Sequence, residues 1–443
     1  MTWYDWRAII YASQEAYRGG YRVCFRRERR DEMNINTSLL HEAAGGYENG
    51  STLTPIFQAS AFAHESAEKL ENIFANRTPG FAYTRISNPT VTAFEKRIAA
   101  LEHGIGAVAC ASGMSAVTMA LLNILHAGDE VISSAGAFGG TIELLSDLSR
   151  FGITVRFTDT MTAENIEPLI NEHTKAVFAE LIGNPKLDIV DIDSISKVCH
   201  QCCLPLIIDS TTATPYLIRP LDHGADIVVH STSKYINGGG NAIGGVITDG
   251  GSFNWGSGRF GEFDEFRMFG KFAYLAKMRN GIWRDVGACM APLSAYMNSV
   301  GIETLGLRME RICFNAQKLA EFLGTLDSIK VNYPGLPDNP YHPLVMSQLG
   351  GKAGGILTIR AGSKQRAFRL INNLKYAHIA TNIGDVRTLV IHPASTIYLH
   401  LSDSLREAAG VYDDTIRVSV GIEDIEDLTE YFENAVKRSD SNG

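Results

Sequence analysis

The sequence predicts an α/β protein, with a mostly parallel central sheet, helices on both faces, and a smaller C-terminal α/β domain. Three observations predict it. Between residues 107 and 248 short apolar runs alternate with segments of helical periodicity, the pattern of strand–helix units in a parallel sheet. Beyond Gly250 the alternation stops, and a Gly- and Phe-rich stretch leads into long helical segments and a second set of short strands. Two of the apolar runs lead into charged residues, Asp209 and Lys234. In such sheets ligands bind beyond the carboxyl ends of the strands.

Size and charge narrow the function. The 443 residues, 45% of them hydrophobic, can bury a large core and more than one domain. A net charge of −9, with no long basic run in the main body, argues against a nucleic-acid partner. No apolar run reaches the ~18 residues that cross a bilayer. Seven cysteines at irregular spacing suit reduced thiols in the cytoplasm better than a disulfide framework. Cys199-His200-Gln201-Cys202-Cys203 resembles half a metal knuckle, but no second half follows, so no metal is expected.

Taken in order, residues 1–32 hold seven arginines, no lysine and seven aromatics, without sustained periodicity. They are expected to be a non-native or disordered extension, with Met33 as the natural start. Residues 33–83 are punctuated by Gly45, Gly46, Gly50 and Pro55 and predict an extended arm with one helix at 66–75. A turn-rich stretch carries Tyr83 and Arg85, and 92–101 reads as a helix. Strands are then expected at 107–110, 130–133, 153–157, 176–181, 204–208, 227–229 and 245–248. Helices are expected between them at 113–125, 140–151, 165–172 and 193–203. Residues 251–281 read as irregular and 285–326 as helical with a break near Gly301. Residues 332–343, with four prolines, read as a surface loop. The tail predicts strands at 355–360, 388–391 and 415–420, and helices at 365–374 and 425–436.

Several strand ends carry groups with chemistry. Lys234 follows the apolar run 227–229 among Ser231, Thr232 and Ser233, with Gly238, Gly239 and Gly240 behind it. An ammonium beside a buried strand must be solvated, paired or used. The hydroxyls suit an anion and the glycines admit a ligand close to the backbone. The pattern points to a Schiff base between Lys234 and a phosphate-bearing aldehyde. Ser112-Gly113-Met114 stands at a strand-to-helix junction, where free amides attract phosphate. A carboxylate at Asp209 can hold a pyridine nitrogen protonated. Phe138, between glycines, can stack on a planar ring. Arg417 is a cation inside an apolar strand, paired either to the protein's own carboxylate or to a substrate's. Gly256-Ser257-Gly258-Arg259-Phe260-Gly261 matches a dinucleotide fingerprint, but it lacks the strand before and the helix behind that the fingerprint requires.

From about Thr37 to Ala435 the chain resembles the pyridoxal-phosphate enzymes of cysteine and methionine metabolism. The motifs that carry the resemblance are Tyr83-Thr84-Arg85-Ile86-Ser87-Asn88-Pro89-Thr90, Ser112-Gly113-Met114, Gly183-Asn184-Pro185, Asp209-Ser210-Thr211, His230-Ser231-Thr232-Ser233-Lys234-Tyr235 and Arg417-Val418-Ser419-Val420-Gly421. Asn382-Ile383-Gly384-Asp385, His392-Pro393-Ala394-Ser395-Thr396 and Arg284-Asp285-Val286-Gly287-Ala288-Cys289 resemble its O-acetylhomoserine sulfhydrylase branch.

The resemblance implies a fold-type I transferase that uses pyridoxal 5'-phosphate. Lys234 would carry the cofactor and shuttle protons. Asp209 would pair with the pyridine nitrogen, with Thr211 nearby. Gly113, Met114, Ser231 and Ser233 would bind phosphate, and Asn184 would approach the phenolic oxygen. Tyr83 and Arg85 would reach the neighbouring subunit's cofactor, Tyr83 also serving catalysis. Arg417 and Asn382 would bind the substrate carboxylate. The domains implied are an arm at 33–85 contacting the neighbouring subunit, a cofactor-binding domain at 86–290 and a smaller domain at 291–443, in a homotetramer of two dimers with shared sites. The reaction implied is γ-replacement on O-acetyl-L-homoserine with sulfide or a thiol, giving homocysteine or methionine. The alternatives are methionine or cystathionine γ-elimination, and a synthase using O-succinylhomoserine. Two departures stand out. Many relatives have tyrosine at Phe138, where the ring is kept and the hydroxyl lost, and residues 261–274 form a shorter segment than the sulfhydrylase branch usually has.

Overall fold

A computed structural model describes residues 33–43 and 50–440; the expectation for residues 1–32 lies outside them. The chain enters through helices α1 (Ile35–His41), α2 (Ala67–Phe74) and α3 (Pro89–Leu101). α3 starts where Asn88 accepts the Thr90 amide and Pro89, which has no amide to leave unpaired, takes the first turn.

Seven strands form the large sheet: β1 (Gly106–Cys110), β2 (Glu130–Ser134), β3 (Thr154–Thr158), β4 (Thr174–Glu180), β5 (Leu206–Asp209), β6 (Ile227–Ser231) and β7 (Gly245–Asp249). Their order is β1-β7-β6-β5-β4-β2-β3. β7 runs antiparallel to both its neighbours, and every other pairing is parallel. Crossovers include α4 (Gly113–Leu122), α5 (Gly139–Asp147) and α6 (Ile192–Gln201). The central strands are buried on both faces, which is why they read as apolar runs and not as alternating patterns. Val177, Leu206, Ile208 and Val228 enter one core, whereas Phe178, Ile207, Ile227 and Val229 enter the core under α4.

Beyond the sheet come α7 (Ala273–Asn280), α8 (Pro292–Glu303) and α9 (Leu305–Leu323). A second sheet follows: β8 (Lys330–Asn332), β9 (Ile356–Arg360), β10 (His378–Ile379), β11 (Leu389–Ile391) and β12 (Thr415–Ser419), in the order β10-β11-β12-β9-β8. Helix α10 (Lys364–Asn373) packs against β12, and α11 (Ile425–Asp440) packs on α10 and α9. Its Ile416, Val418 and Leu357 share one continuous core with Val228 and Ile208 of the large sheet.

Five elements differ from expectation. The arm at 33–83, expected to hold one helix, holds two, α1 and α2. The helix expected at 165–172 is one turn, Ala163–Ile166, followed by the 3-10 turn Glu167–Leu169; Pro168 supplies no amide to continue it. The stretch 251–281 is not irregular throughout, because it ends in α7. There Trp255 stacks on Phe263 with ring centroids 4.5 Å apart and on Tyr274 at 5.0 Å. The Asn123 side chain donates to the Tyr274 carbonyl at 3.1 Å, so tertiary contacts impose order that local composition does not announce. The expected break near Gly301 falls at Thr304. Gly301 lies inside α8, where a Cβ would come within 2.5 Å of the Ile236 and Asn237 carbonyl oxygens. Finally, the end of the expected loop at 332–343 already belongs to a helix, His342–Gln348.

Candidate active site

β4, β5 and β6 end side by side, each on a polar residue. Side chains alternate along a strand, so Glu180, Asp209 and Ser231 share the face of Phe178, Ile207 and Val229, the face covered by α4. Glu180 and Asp209 are register partners in the ladder. Asp209 accepts the Thr211 amide at 2.9 Å, and Thr211 Oγ1 accepts the Ser231 amide at 2.8 Å. Strand ends and loops are therefore tied into one row.

The start of α4 closes that row. Ser112 caps the helix by accepting the Ser115 amide at 3.0 Å, which leaves the Gly113 and Met114 amides without an intrahelical partner. A Cβ at Gly113 would lie 2.4 Å from Ser231 Cβ and 2.6 Å from its Oγ, so only glycine lets this helix end approach. Ser233 exchanges hydrogen bonds with the Gly244 backbone, accepting its amide at 2.9 Å. Helix amides facing small hydroxyls make an anion cradle.

Lys234 follows in the turn after β6. Its Nζ donates to Asn382 Oδ1 at 2.6 Å. Burial first, and the Arg417 charge second, lower its pKa to about 8. Arg417 itself, on β12, is only 2% exposed. It donates to Asn184 Oδ1 at 3.2 Å and to the carbonyls of Thr381 and Asn382 at 3.2 and 3.0 Å. Its buried Nε has no acceptor, and among the described residues no carboxylate forms an ion pair with it. Burial lowers its pKa to about 10, so it stays charged at neutral pH. Of the two pairings left open for Arg417, the one with a protein carboxylate is not found among the described residues.

The two strand-end carboxyls are pushed up together. Burial, then the neighbouring Asp209 charge, hold the Glu180 carboxyl well above the usual range. Burial also raises Asp209, but the Thr211 hydrogen bonds oppose it. Glu180 is thus the better proton holder of the two. It accepts the Phe138 amide at 2.9 Å and the Thr141 hydroxyl at 3.2 Å.

A phosphorylated aldehyde with a basic ring nitrogen fits these groups. Its phosphate would have the α4 amides and Ser231 to bind it, its aldehyde the Lys234 amine of lowered pKa, and its ring nitrogen the Asp209 carboxylate from the next strand. Phe138 lies at the start of α5, where a ring can cover such a ligand.

Tyr83 and Arg85 behave differently. Tyr83 is 42% exposed, with the Arg85 guanidinium 5.7 Å from its ring centroid, and Arg85 donates to the Arg284 carbonyl at 2.7 Å. Among the described contacts neither reaches Lys234 of its own chain. The Gly256–Gly261 fingerprint lies in turns beside the Trp255 aromatic cluster, and, against expectation, its last glycine opens a helix, the 3-10 helix Gly261–Phe272, but no strand leads directly into it; a Cβ at Gly258 or Gly261 would meet nothing within 4 Å, so no close ligand approach needs those glycines. Cys199 is a core residue at the end of α6, and the described residues contain no metal-binding group of His, Cys, Asp and Glu.

Two neighbours went unmarked by sequence reasoning. Glu180 carried a signal, a charge inside the apolar run 176–181, the same signal that marked Asp209. Tyr398 carried none. It lies between Ile397 and Leu399, is fully buried, and its hydroxyl donates toward the Asn184 carbonyl at 2.7 Å and the Ala137 carbonyl at 3.0 Å.

Known proteins share this sequence and fold. The O-acetyl-L-homoserine sulfhydrylase of Leptospira meyeri is 42% identical over 90% of this chain and 96% of its own length. The homocysteine synthase of Schizosaccharomyces pombe is 41% identical over 87% and 94%. A crystal structure from Campylobacter jejuni, assigned as an O-acetylhomoserine (thiol)-lyase and carrying N'-pyridoxyl-lysine-5'-monophosphate, superposes with a TM-score of 0.86 at 34% identity, covering 91% of this chain and 100% of that one. The family model of the Cys/Met metabolism PLP-dependent enzymes matches residues 36–437, and the chain belongs to that family.

Proposed function

We propose that this chain catalyses γ-replacement on O-acetyl-L-homoserine, transferring the aminocarboxypropyl group to sulfide or a thiol and releasing acetate. The observation that carries the reading is Arg417: a buried guanidinium, with no carboxylate partner among the described residues and an unpartnered Nε, joined through Asn382 to the amine of Lys234. A cation of that kind is suited to the carboxylate of an amino acid. The choice of amino acid follows the relatives above.

Lys234 would hold pyridoxal phosphate covalently. Gly113 and Met114 amides and the Ser231 and Ser233 hydroxyls would take its phosphate, Asp209 its ring nitrogen, Phe138 one ring face, and Asn184 its phenolic side. When bound, the cofactor draws electrons from the substrate α-carbon, which γ-replacement requires.

The protein's own residues do the rest. Arg417 fixes the carboxylate, and so fixes which α-carbon bond faces Lys234. A lysine with a pKa of about 8 is partly neutral at physiological pH and can accept the α-proton at Nζ. Asn382 Oδ1 aims that nitrogen. Phe138 has no hydroxyl to share the proton transfer, so Lys234 carries it within one chain. Acetate is a weak base and leaves without a strong acid, which makes a phenylalanine tolerable there.

Tyr83 and Arg85 serve the site of a neighbouring subunit in this reading, within a homotetramer of two dimers. The exposed Tyr83–Arg85 pair and the exposed apolar side chains Leu53, Ile56, Ile243 and Leu307 support it. The arm at 33–85, the cofactor domain at 86–290 and the smaller domain at 291–443 complete the division. No described helix is long and apolar enough to cross a membrane; the cytoplasmic setting in this reading rests on the irregular cysteine spacing, which suits reduced thiols.

Product analysis tests the proposal. With O-acetyl-L-homoserine and sulfide the protein should yield homocysteine and acetate, faster than with the O-succinyl ester. Ammonia and a keto acid as main products, with sulfide present, would make it a γ-lyase; inertness toward every activated homoserine would overturn the reading.

A further inference from the structure

We infer that Tyr398 is the positioning residue that sets the ring-stacking loop and the carboxylate clamp in register, an inference that rests on the function proposed above. Its phenol enters from the segment after β11 and lies wholly inside the protein. One hydroxyl proton faces two backbone carbonyls. Asn184 at 2.7 Å belongs to the loop after β4, and Ala137 at 3.0 Å immediately precedes Phe138.

Both acceptors lead directly into the site. Phe138 has no polar atom on its ring, so its placement depends on its backbone. Its own amide is held by Glu180 at 2.9 Å, and the preceding carbonyl is held by Tyr398. Asn184, whose carbonyl takes the shorter bond, accepts Arg417 through its side chain at 3.2 Å. Tyr398 therefore touches one wall of the ring site and one partner of the clamp.

Packing gives the contact its fixed position. A Cβ at Gly139 would lie 2.4 Å from the Ile397 carbonyl oxygen and 3.4 Å from Tyr398 Cζ, so the first turn of α5 is pressed against this segment with no room for a side chain. Around the hydroxyl, Ala137, Ile142, Ala394, Ala409 and Val411 form a separate small apolar cluster with the ring. Among the described hydrogen bonds no other group donates to either carbonyl, and an unpaired buried carbonyl moves to find a donor.

Tyr398→Phe removes the hydroxyl and keeps the ring. In the holoenzyme the KM for O-acetyl-L-homoserine should rise about 10-fold, the size expected from one lost buried hydrogen bond, while kcat falls by less than about 3-fold. Spectral titration with L-2-aminobutyrate, which has no γ-leaving group, should show the same weakening without turnover. Asn184→Ala should weaken that titration too, and the double variant should be no weaker than about 2-fold beyond Asn184→Ala alone, since both act on one clamp. Additive losses would make Tyr398 merely structural and overturn the inference. So would unchanged aminobutyrate binding in Tyr398→Phe. Failure of the proposed function is a separate result, because wild-type protein would then be inactive on the ester whatever Tyr398 does.

Discussion

The proposed site has two halves that would handle charge in opposite ways. The phosphate half is built from neutral groups: the first amides of α4, the Ser231 hydroxyl and a glycine that lets them meet. The carboxylate half is built around one permanent cation, Arg417, surrounded by carbonyl oxygens and an amide. Lys234 stands between them, and burial affects it as it affects Arg417. The lysine is brought to about 8 and the arginine only to about 10. The same desolvation leaves one cation able to lose its proton near neutral pH and the other charged, as the proposed base and anchor require, because a guanidinium starts from a higher pKa.

The sharpest way to break this contrast is Lys234→Ala. It should lower turnover by about 1,000-fold or more, measured with O-acetyl-L-homoserine and sulfide, while the fold is kept. Arg417→Leu comes next. Losing a buried charged partner costs about 2–5 kcal/mol, so the KM should rise by about 30-fold or more. If kcat alone fell, the anchor role would be wrong. Gly113→Ala tests the neutral half. The added methyl cannot fit beside Ser231 without a shift costing about 1–3 kcal/mol, so affinity for pyridoxal phosphate should drop about 10-fold, read by reconstitution of the apoprotein.

The smallest effect is on stability. Folded Lys234 releases its proton near 8, whereas the ordinary value is 10.5. Between these values the unfolded chain binds more protons, so the lysine's contribution to stability rises with pH from about 8 to about 10.5 and is lost as pH falls toward 8. Its ceiling is about 3 kcal/mol. Urea unfolding of apoprotein should show the wild type gaining on Lys234→Met across that window; parallel curves would mean the lysine is not desolvated.

The halves also differ in how far the sequence announces them. Asp209, Lys234 and Gly113 are legible because each interrupts a local pattern, a charge after an apolar run or a glycine opening a helix. Arg417 was visible as a cation in a strand, but its partner was not. Asn184 lies 233 residues away and Tyr398 meets Ala137 across 261, and no period records contacts at such separations. Asn184 and Asn382 came from resemblance alone, and Tyr398 from the structure alone. The large sheet was readable for the same reason as Asp209: strands buried on both faces are short apolar runs. α7 was not, since its order comes from Trp255, Phe263 and Asn123, which lie outside the helix itself.

The central claim is that Lys234 is the amine that carries the cofactor. Borohydride reduction of the coloured holoprotein, followed by peptide mass analysis, tests it most directly. The account predicts a single pyridoxyl phosphate group on Lys234. The same group on another enclosed lysine, such as Lys277 or Lys175, with Lys234 unmodified, would contradict it.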